Sequence, residues 1–293
     1  MSTADQSSIK QPNIGVAIGG GGLKAMSSIA LFRFLDQHGL RPNIVAGCSA
    51  GALVAAMRGA GFSYTKMQEV AFAMSDPKMF AHYDTRSLLG IASLPGGKFN
   101  NRSGLMNPKR VLNYYHKLFG DLRLEDLETK IVLVATDIEK GEKVTLESGL
   151  VADAVFASGA LWPLFPPIEF EGRLLIDGGY SNPLPLLELV QQDMSDINIA
   201  MMFDEKPDPN PNSFAQCLNN QVGIMLRTMT RNQNVMAIEM HHYETILIQF
   251  VMSAPVTISP DSVPLVLDTG RKLVSQHAQE ILDSVKNFGQ TVI

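Results

Sequence analysis

A serine set between glycines, a run of four glycines and an aspartate followed by two more are the residues of this chain whose types and spacing could do chemistry. Ser49 stands in Gly47-Cys48-Ser49-Ala50-Gly51, after the apolar run Ile44-Val45-Ala46 and before the small, apolar stretch from Ala50 to Gly61. Strand, tight turn and helix in that order make a nucleophile elbow, where side chains in place of the two glycines would strike the neighbouring strand or helix. The hydroxyl then stands over a helix N-terminus, whose free amides favour developing negative charge. A structural turn with a capping serine uses the same five residue types, so the motif alone does not settle catalysis.

Upstream, the strand-like Ile14-Gly15-Val16-Ala17-Ile18 runs into Gly19-Gly20-Gly21-Gly22 and then a helical pattern with Met26, Ile29, Ala30, Leu31, Phe34 and Leu35 on its apolar side and Gly39 as its stop. Four successive glycines are costly to order and suit a place where backbone must approach something closely. Strand, glycine loop and helix start form an anion cradle of backbone N–H groups, fit for a pyrophosphate or for the oxyanion of an acyl transfer. A dinucleotide site expects an acid at the end of the next strand, which instead ends in Ala46-Gly47-Cys48-Ser49, and no Gly-Lys-Ser/Thr follows for a phosphate loop. The oxyanion reading is therefore the stronger one. A serine also needs a base, and the best candidate is Asp177 in Leu174-Leu175-Ile176-Asp177-Gly178-Gly179, an acid expected at a strand tip with little covering it. An ordinary Asp-Gly turn between strands is the other reading of these residues.

Together and in this order, the glycine loop, the elbow and the Asp-Gly-Gly turn resemble the patatin-like phospholipase family. Ala157-Ser158-Gly159-Ala160-Leu161-Trp162-Pro163-Leu164-Phe165-Pro166-Pro167 is similar to a further block of that family, and Val134-Ala135-Thr136-Asp137 to the strand before it. The similarity spans roughly residues 13–205. It implies a three-layer α/β/α fold with a mostly parallel central sheet, and a Ser-Asp dyad without histidine: Ser49 as nucleophile, Asp177 as base, and N–H groups of Gly20, Gly21 and Gly22 as the oxyanion hole. Gly47 and Gly51 shape the elbow, while Lys24, Gly178 and Gly179 support the site. The chain departs from the family pattern in three places. Gly19 stands where many members have Asp, Lys24 where they have Arg, and Ala25 where a glycine closes the loop. Lys24 keeps the charge but not the bidentate fork.

The mechanism implied is attack of Ser49 on an acyl ester, an acyl-enzyme, and its release by water activated by Asp177. An unperturbed aspartate, with a pKa of ~3.9, is a weak base for this task, so partial burial should raise it and oxyanion donors, each worth on the order of 3 kcal/mol, should lower the demand on it. Phospholipid or lysophospholipid is the expected substrate. An esterase or thioesterase on other acyl compounds, or a non-catalytic lipid-binding or regulatory protein that keeps the fold, are the alternatives.

An α/β-hydrolase triad of Ser49, Asp177 and His277 fits in chain order. Only one convincing strand precedes the elbow strand, however, and His277 borders the apolar stripe of a helix expected over 272–288. His38, His82, His116 and the pair His241-His242 carry no catalytic or metal-ligand pattern, and Cys48 should point into the fold rather than serve as nucleophile. No calcium loop is readable, so neither metal nor cofactor is expected.

With 293 residues and 45% hydrophobic content the chain can bury a large core. Further strands are expected at Ile131–Ala135, Ile197–Phe203 and Thr245–Val251. The expected organisation is a mobile polar tail over 1–12, a catalytic domain over 13–205, and a helical segment with a strand over 206–293 packing on the same domain after the Pro- and Asn-rich run 204–212. A net charge of −5 without a basic cluster argues against nucleic acid and against a permanent seat on anionic lipid. No run reaches ~18 apolar residues, and the first residues lack the pattern of a signal peptide. Two cysteines suggest no disulfide framework. The expected location is the cytoplasm, with transient membrane contact and the oligomeric state left open. Residues 79–106 mix exposed-type apolar residues with Pro95-Gly96-Gly97 and read either as a lid or as a long packed connection. The fifteen methionines could line an acyl tunnel but fit core filling better.

Overall fold

The computed structural model describes residues 11–242, 244–252 and 258–288. The polar tail expected over 1–12 lies outside these up to residue 10. In chain order the strands are β1 (Ile14–Ile18), β2 (Pro42–Cys48), β3 (Lys130–Asp137), β4 (Glu142–Leu146), β5 (Ile168–Phe170), β6 (Arg173–Asp177), β7 (Ile197–Glu205) and β8 (Thr245–Met252). The helices are α1 (Ile29–Gln37), α2 (Ala50–Gly59), α3 (Tyr64–Ser75), α4 (Thr85–Ile91), α5 (Lys109–Phe119), α6 (Val151–Gly159), α7 (Leu186–Gln191), α8 (Phe214–Met240) and α9 (Val263–Asn287), and a 3₁₀ segment, Gly22–Ser28, leads into α1.

The strands lie in the order β5-β6-β3-β2-β1-β7-β8, with β4 on the other edge of β3. β3, β2, β1, β7 and β8 are parallel to their neighbours, while β4 and β6 run antiparallel to β3. Alternation along each strand sorts the core into two layers. Val16 and Ile18, Val45, Ile131 and Leu133, and Ile199 and Met201 face one way, under α1, α2, α3, α5, α6 and α9. Ala17, Ala46, Val132 and Ala200 face the other, under α7 and α8. Three of these four are alanines, and all four are register partners in a row across the sheet. The low row of methyl groups lets Leu186, Leu189 and the buried Ala237 pack directly on the strands. Helices thus cover both faces of a mostly parallel sheet, a three-layer α/β/α sandwich.

The sequence-based bounds shift in physically ordinary ways. Asp204 and Glu205 still pair with Val251 and Met252, so the polar run begins only after β7. The helix expected at residue 272 starts at Val263, because Pro264 is tolerated in a first turn. Met26 lies in the 3₁₀ segment rather than in α1.

β8 extends the same sheet, and α9 returns from it across the helical start of the glycine loop. At the crossing, a Cβ on Gly270 would lie 2.3 Å from the Ser27 carbonyl oxygen. Only a residue without a side chain lets α9 come this close to the 3₁₀ segment. Gly270→Val is expected to destabilise the fold by about 2–3 kcal/mol through overpacking, read as a lowered urea midpoint at unchanged slope.

Candidate active site

Ser49 and Asp177 are 128 residues apart, and β3 brings them together. On one edge β3 pairs Val134 with Cys48, the last residue of β2. Its next residue, Ala135, pairs with Asp177, the last residue of β6. Both Leu133 and Val134 also pair with β4, as does Ala135, so β2 and β6 must occupy the same edge of β3, one after the other. Two strands running towards each other therefore end at consecutive positions, and the residues at their tips meet. Ser49 Oγ donates a 2.6 Å hydrogen bond to Asp177 Oδ2.

The elbow is as tight as its glycines suggest. Ser49 has φ 54° and ψ −125°, a backbone state costing a non-glycine residue on the order of 1–3 kcal/mol. A Cβ on Gly47 would lie 2.7 Å from Ala52 Cα, and one on Gly51 2.4 Å from the Ile18 carbonyl oxygen. Holding this conformation is a residue to which the sequence assigned no role. Ser158 Oγ accepts the Ser49 N–H at 3.0 Å and donates to the Val134 carbonyl at 2.6 Å, tying the elbow to β3. A lone serine at a buried position of the apolar helix α6 was the available signal.

The glycine loop lies against the serine, with a Cβ built on Gly20 falling 3.2 Å from Ser49 Cβ. One expectation for this loop needs correction. The Gly20 N–H is donated to the Pro183 carbonyl at 2.8 Å, as the Gly19 N–H is to Met201, so Gly20 is a close-approach residue and not a donor to an oxyanion. Among the described hydrogen bonds the amides of Gly21 and Gly22 have no acceptor. Lys24 is buried in the 3₁₀ segment that follows.

Asp177 is likewise not the lightly covered strand tip that its turn suggests; it is 3% exposed. Its Oδ1 accepts the Gly179 N–H at 2.7 Å, and Thr136 Oγ1 donates to its carbonyl oxygen. Gly178 lets the turn lie on β3, where a Cβ would meet the Val134 carbonyl oxygen at 2.2 Å. Below the turn Asn182 donates to the buried carboxylate of Glu188, which also pairs with Lys143. Burial pushes the Asp177 carboxyl up from 3.8 to about 6, against the pull of its hydrogen bonds from Ser49 and Gly179.

Cys48 is fully buried beside the serine, and burial, with the nearby charges of Asp177 and Glu188, pushes its thiol well up, away from a reactive thiolate. Among the described residues no histidine bonds to Ser49 or Asp177. His277 pairs with Glu280 on α9 and His116 with Asp153. No group of three His, Cys, Asp or Glu side chains that could hold a metal ion occurs among the described residues.

A raised carboxyl pKa reverses the usual dependence of stability on pH. The folded chain binds the Asp177 proton more tightly than the unfolded chain, so this group's contribution to stability is complete below about pH 3.8 and is lost as pH rises through about 6. Asp177→Asn is therefore expected to be more stable than the parent at about pH 8, by up to about 3 kcal/mol. The advantage should shrink towards about pH 4, which urea denaturation across a pH series would reveal.

Comparison with known proteins places the chain among several relatives. The chain is 26% identical over 223 residues to an uncharacterised NTE family protein of Mycobacterium bovis, covering 72% of this chain and 56% of that one. It is 26% identical over 219 residues to a lysophospholipase NTE1 of Debaryomyces hansenii, covering 72% of this chain but 13% of the yeast protein. The chain thus spans about half the length of the mycobacterial relative and a small part of the yeast one. Among solved structures it is similar to VipD from Legionella pneumophila, with TM-score 0.47 and 12% identity over 92% of this chain and 67% of that one. It is also similar to the type III effector ExoU, with TM-score 0.46 and 15% identity over 92% and 53%. The patatin-like phospholipase model matches residues 16–190, which take in the glycine loop, Ser49 and Asp177, and the chain belongs to that family.

Proposed function

We propose that this chain is a serine acyl hydrolase that cleaves fatty-acyl esters of phospholipids or lysophospholipids through a Ser49–Asp177 dyad. The observation that carries the reading is the 2.6 Å hydrogen bond from Ser49 Oγ to Asp177 Oδ2, made by a serine in a strained elbow beside free loop amides. Membership of the patatin-like phospholipase family and the lysophospholipase name of the yeast relatives support the lipid class of substrate.

In this mechanism Ser49 Oγ attacks the ester carbonyl while its proton passes to Asp177 Oδ2. The C=O electron pair moves onto oxygen, and the amides of Gly21 and Gly22 stabilise that charge. Collapse of the tetrahedral intermediate expels the alcohol, which leaves with the proton held by Asp177. Water then attacks the acyl-Ser49 ester, giving its proton to Asp177, and the fatty acid departs as Ser49 recovers its hydrogen. A base near pKa 6 is better matched to both transfers than an ordinary aspartate, being ionised at neutral pH yet more basic. No histidine is required, because the hydroxyl and the carboxylate are in direct contact.

A fluorophosphonate is expected to add once, at Ser49, as read by intact mass and peptide mapping. Ser49→Ala should give no adduct, and Asp177→Asn should lower labelling and turnover by about 10³-fold or more. Absence of an adduct on the folded parent would sink the mechanism and favour a lipid-binding role. The rate of ester hydrolysis should rise with pH through about 6 and then level, because only the Asp177 carboxylate accepts the proton. A rate that stays constant from about pH 4 to 8 would assign the base elsewhere.

A further inference from the structure

The chain carries a net charge of −5, yet three cations of α5 line one cavity. This cavity, about 480 Å³, lies between Met79 and His82 on one side and Lys109, Arg110, Asn113 and Lys117 of α5 on the other, and no carboxylate lines it. Lys109, Asn113 and Lys117 recur every fourth residue and so share one face of the helix. Arg110 donates to the Lys78 carbonyl, which fixes its guanidinium at the rim. Among the described residues, Lys78, Lys109, Arg110 and Lys117 form no ion pair, whereas exposed cations elsewhere, such as Lys66, Arg102 and Lys272, do. Of the acids near these cations in sequence, Asp76 caps the turn at Lys78 and Asp84 caps α4, while Asp121 follows Lys117 by four residues just beyond α5 and does not line the cavity.

The cavity sits at the root of an apolar excursion. The chain leaves at His82 and returns at Asn107, closed by a bridge between Tyr83 and Met106 and by a bond from the Asn107 N–H to the His82 carbonyl. Between these points Leu88, Ile91 and Leu94 stand 42%, 56% and 51% exposed on and just after α4. The returning strand donates from Leu105 and Met106 to the carbonyls of Pro163 and Leu164, in the loop whose Ala160 carbonyl accepts the Asp177 N–H. Leu161 and Leu164 of that loop are also exposed. The excursion that carries these apolar side chains is therefore rooted at the basic cavity and tied by backbone bonds to the loop that precedes β5.

We propose that the basic cavity seats the phosphate of an anionic phospholipid headgroup and docks the chain on an anionic membrane, with the α4 excursion laid into the interface. Charge complementarity selects this occupant. Three cations in one cavity with no carboxylate in its lining favour an anion, and the exposed Leu88, Ile91 and Leu94 of the same excursion favour an interface that buries them at the same time. A free phosphate would satisfy only the first requirement. The inference goes beyond the hydrolytic reading, since it concerns where the chain binds and not what it cleaves.

The test is co-sedimentation of the Ser49→Ala chain, which leaves lipid intact, with vesicles of phosphatidylcholine alone and of equal parts phosphatidylcholine and phosphatidylserine. Binding is expected to favour the mixed vesicles and to weaken with added salt. Combined Lys109→Gln, Arg110→Gln and Lys117→Gln should cost on the order of 100-fold in affinity for mixed vesicles, with no change on the neutral ones. Combined Leu88→Ser, Ile91→Ser and Leu94→Ser should weaken binding to both. In the parent background, unchanged hydrolysis of a soluble short-chain ester by the triple Gln variant would show that fold and dyad are intact. Equal binding of the triple Gln variant and its parent to mixed vesicles would overturn the proposal. So would calorimetric binding of inorganic phosphate at the cavity without preference for anionic vesicles, which would make this a site for a soluble anion.

Discussion

The site depends on one edge of one strand. β3 offers its edge to β2 as far as Val134 and to the opposed β6 from Ala135 onward, so Ser49 and Asp177, the proposed nucleophile and base, end up at neighbouring strand tips. Had the same residues been carried on adjacent full-length strands, their side chains would be separated by the strand spacing and by the loops that follow. Meeting end to end, they touch directly, and no third residue is needed to span the gap. The same edge is held on both sides of the junction, by Ser158 bonding to the Val134 carbonyl and by Thr136 bonding to the Asp177 carbonyl.

A single turn then couples the two halves of the chemistry. Residues 177–183 present the carboxylate at one end, while at the other the Pro183 carbonyl accepts the Gly20 N–H. Asp177 and the glycine loop are therefore positioned by one stretch of chain, anchored below by Asn182, Glu188 and Lys143. The conditions that the proposed mechanism needs are individually unfavourable for folding. Burying a carboxylate raises its pKa at the expense of stability at neutral pH, and the Ser49 backbone is strained. The surrounding hydrogen bonds and the close-packed glycines offset these costs, which is the pattern expected of a preorganised site.

The parts of the site that were legible in the sequence are those where backbone geometry leaves little choice of residue. Gly47 and Gly51 approach other backbone to within van der Waals distance, and Gly178 lies on β3, so glycine at each position is a readable demand. The apolar runs likewise announced β1, β2, β3, β7 and β8: the first four are buried on both faces over most of their length, and β8, at the sheet edge, alternates buried Ile246, Ile248 and Phe250 with exposed Gln249 and Val251. What the sequence left hidden depends on partners far along the chain. The commitment of the Gly20 amide to Pro183, the covering of Asp177 and the support of Ser49 by Ser158 are all tertiary contacts. The cationic cavity was missed for a different reason: Lys109, Arg110 and Lys117 fall within nine residues of α5, but the apolar and polar residues between them keep them from reading as a basic run. Helix geometry places positions four apart on one face and so groups Lys109 and Lys117 with Asn113, where composition reported only an acidic chain.

The dependence of the loop on the C-terminal segment follows from the same geometry. The family match ends at residue 190, after both members of the dyad. Yet the glycine loop has one strand behind it and a short 3₁₀ segment ahead of it, and such segments are poor at holding their own shape. α9 supplies the missing support by crossing at Gly270 within contact of the Ser27 backbone, and it can do so only because β8 has first added itself to β7 and set the direction of return. In the proposed mechanism the amides of Gly21 and Gly22, which have no acceptor among the described residues, are preorganised only as well as the 3₁₀ segment is held, since a donor that must reorganise in the transition state loses most of its effect. Residues beyond the matched region are thus part of what makes the loop a fixed cradle rather than a flexible run of glycines.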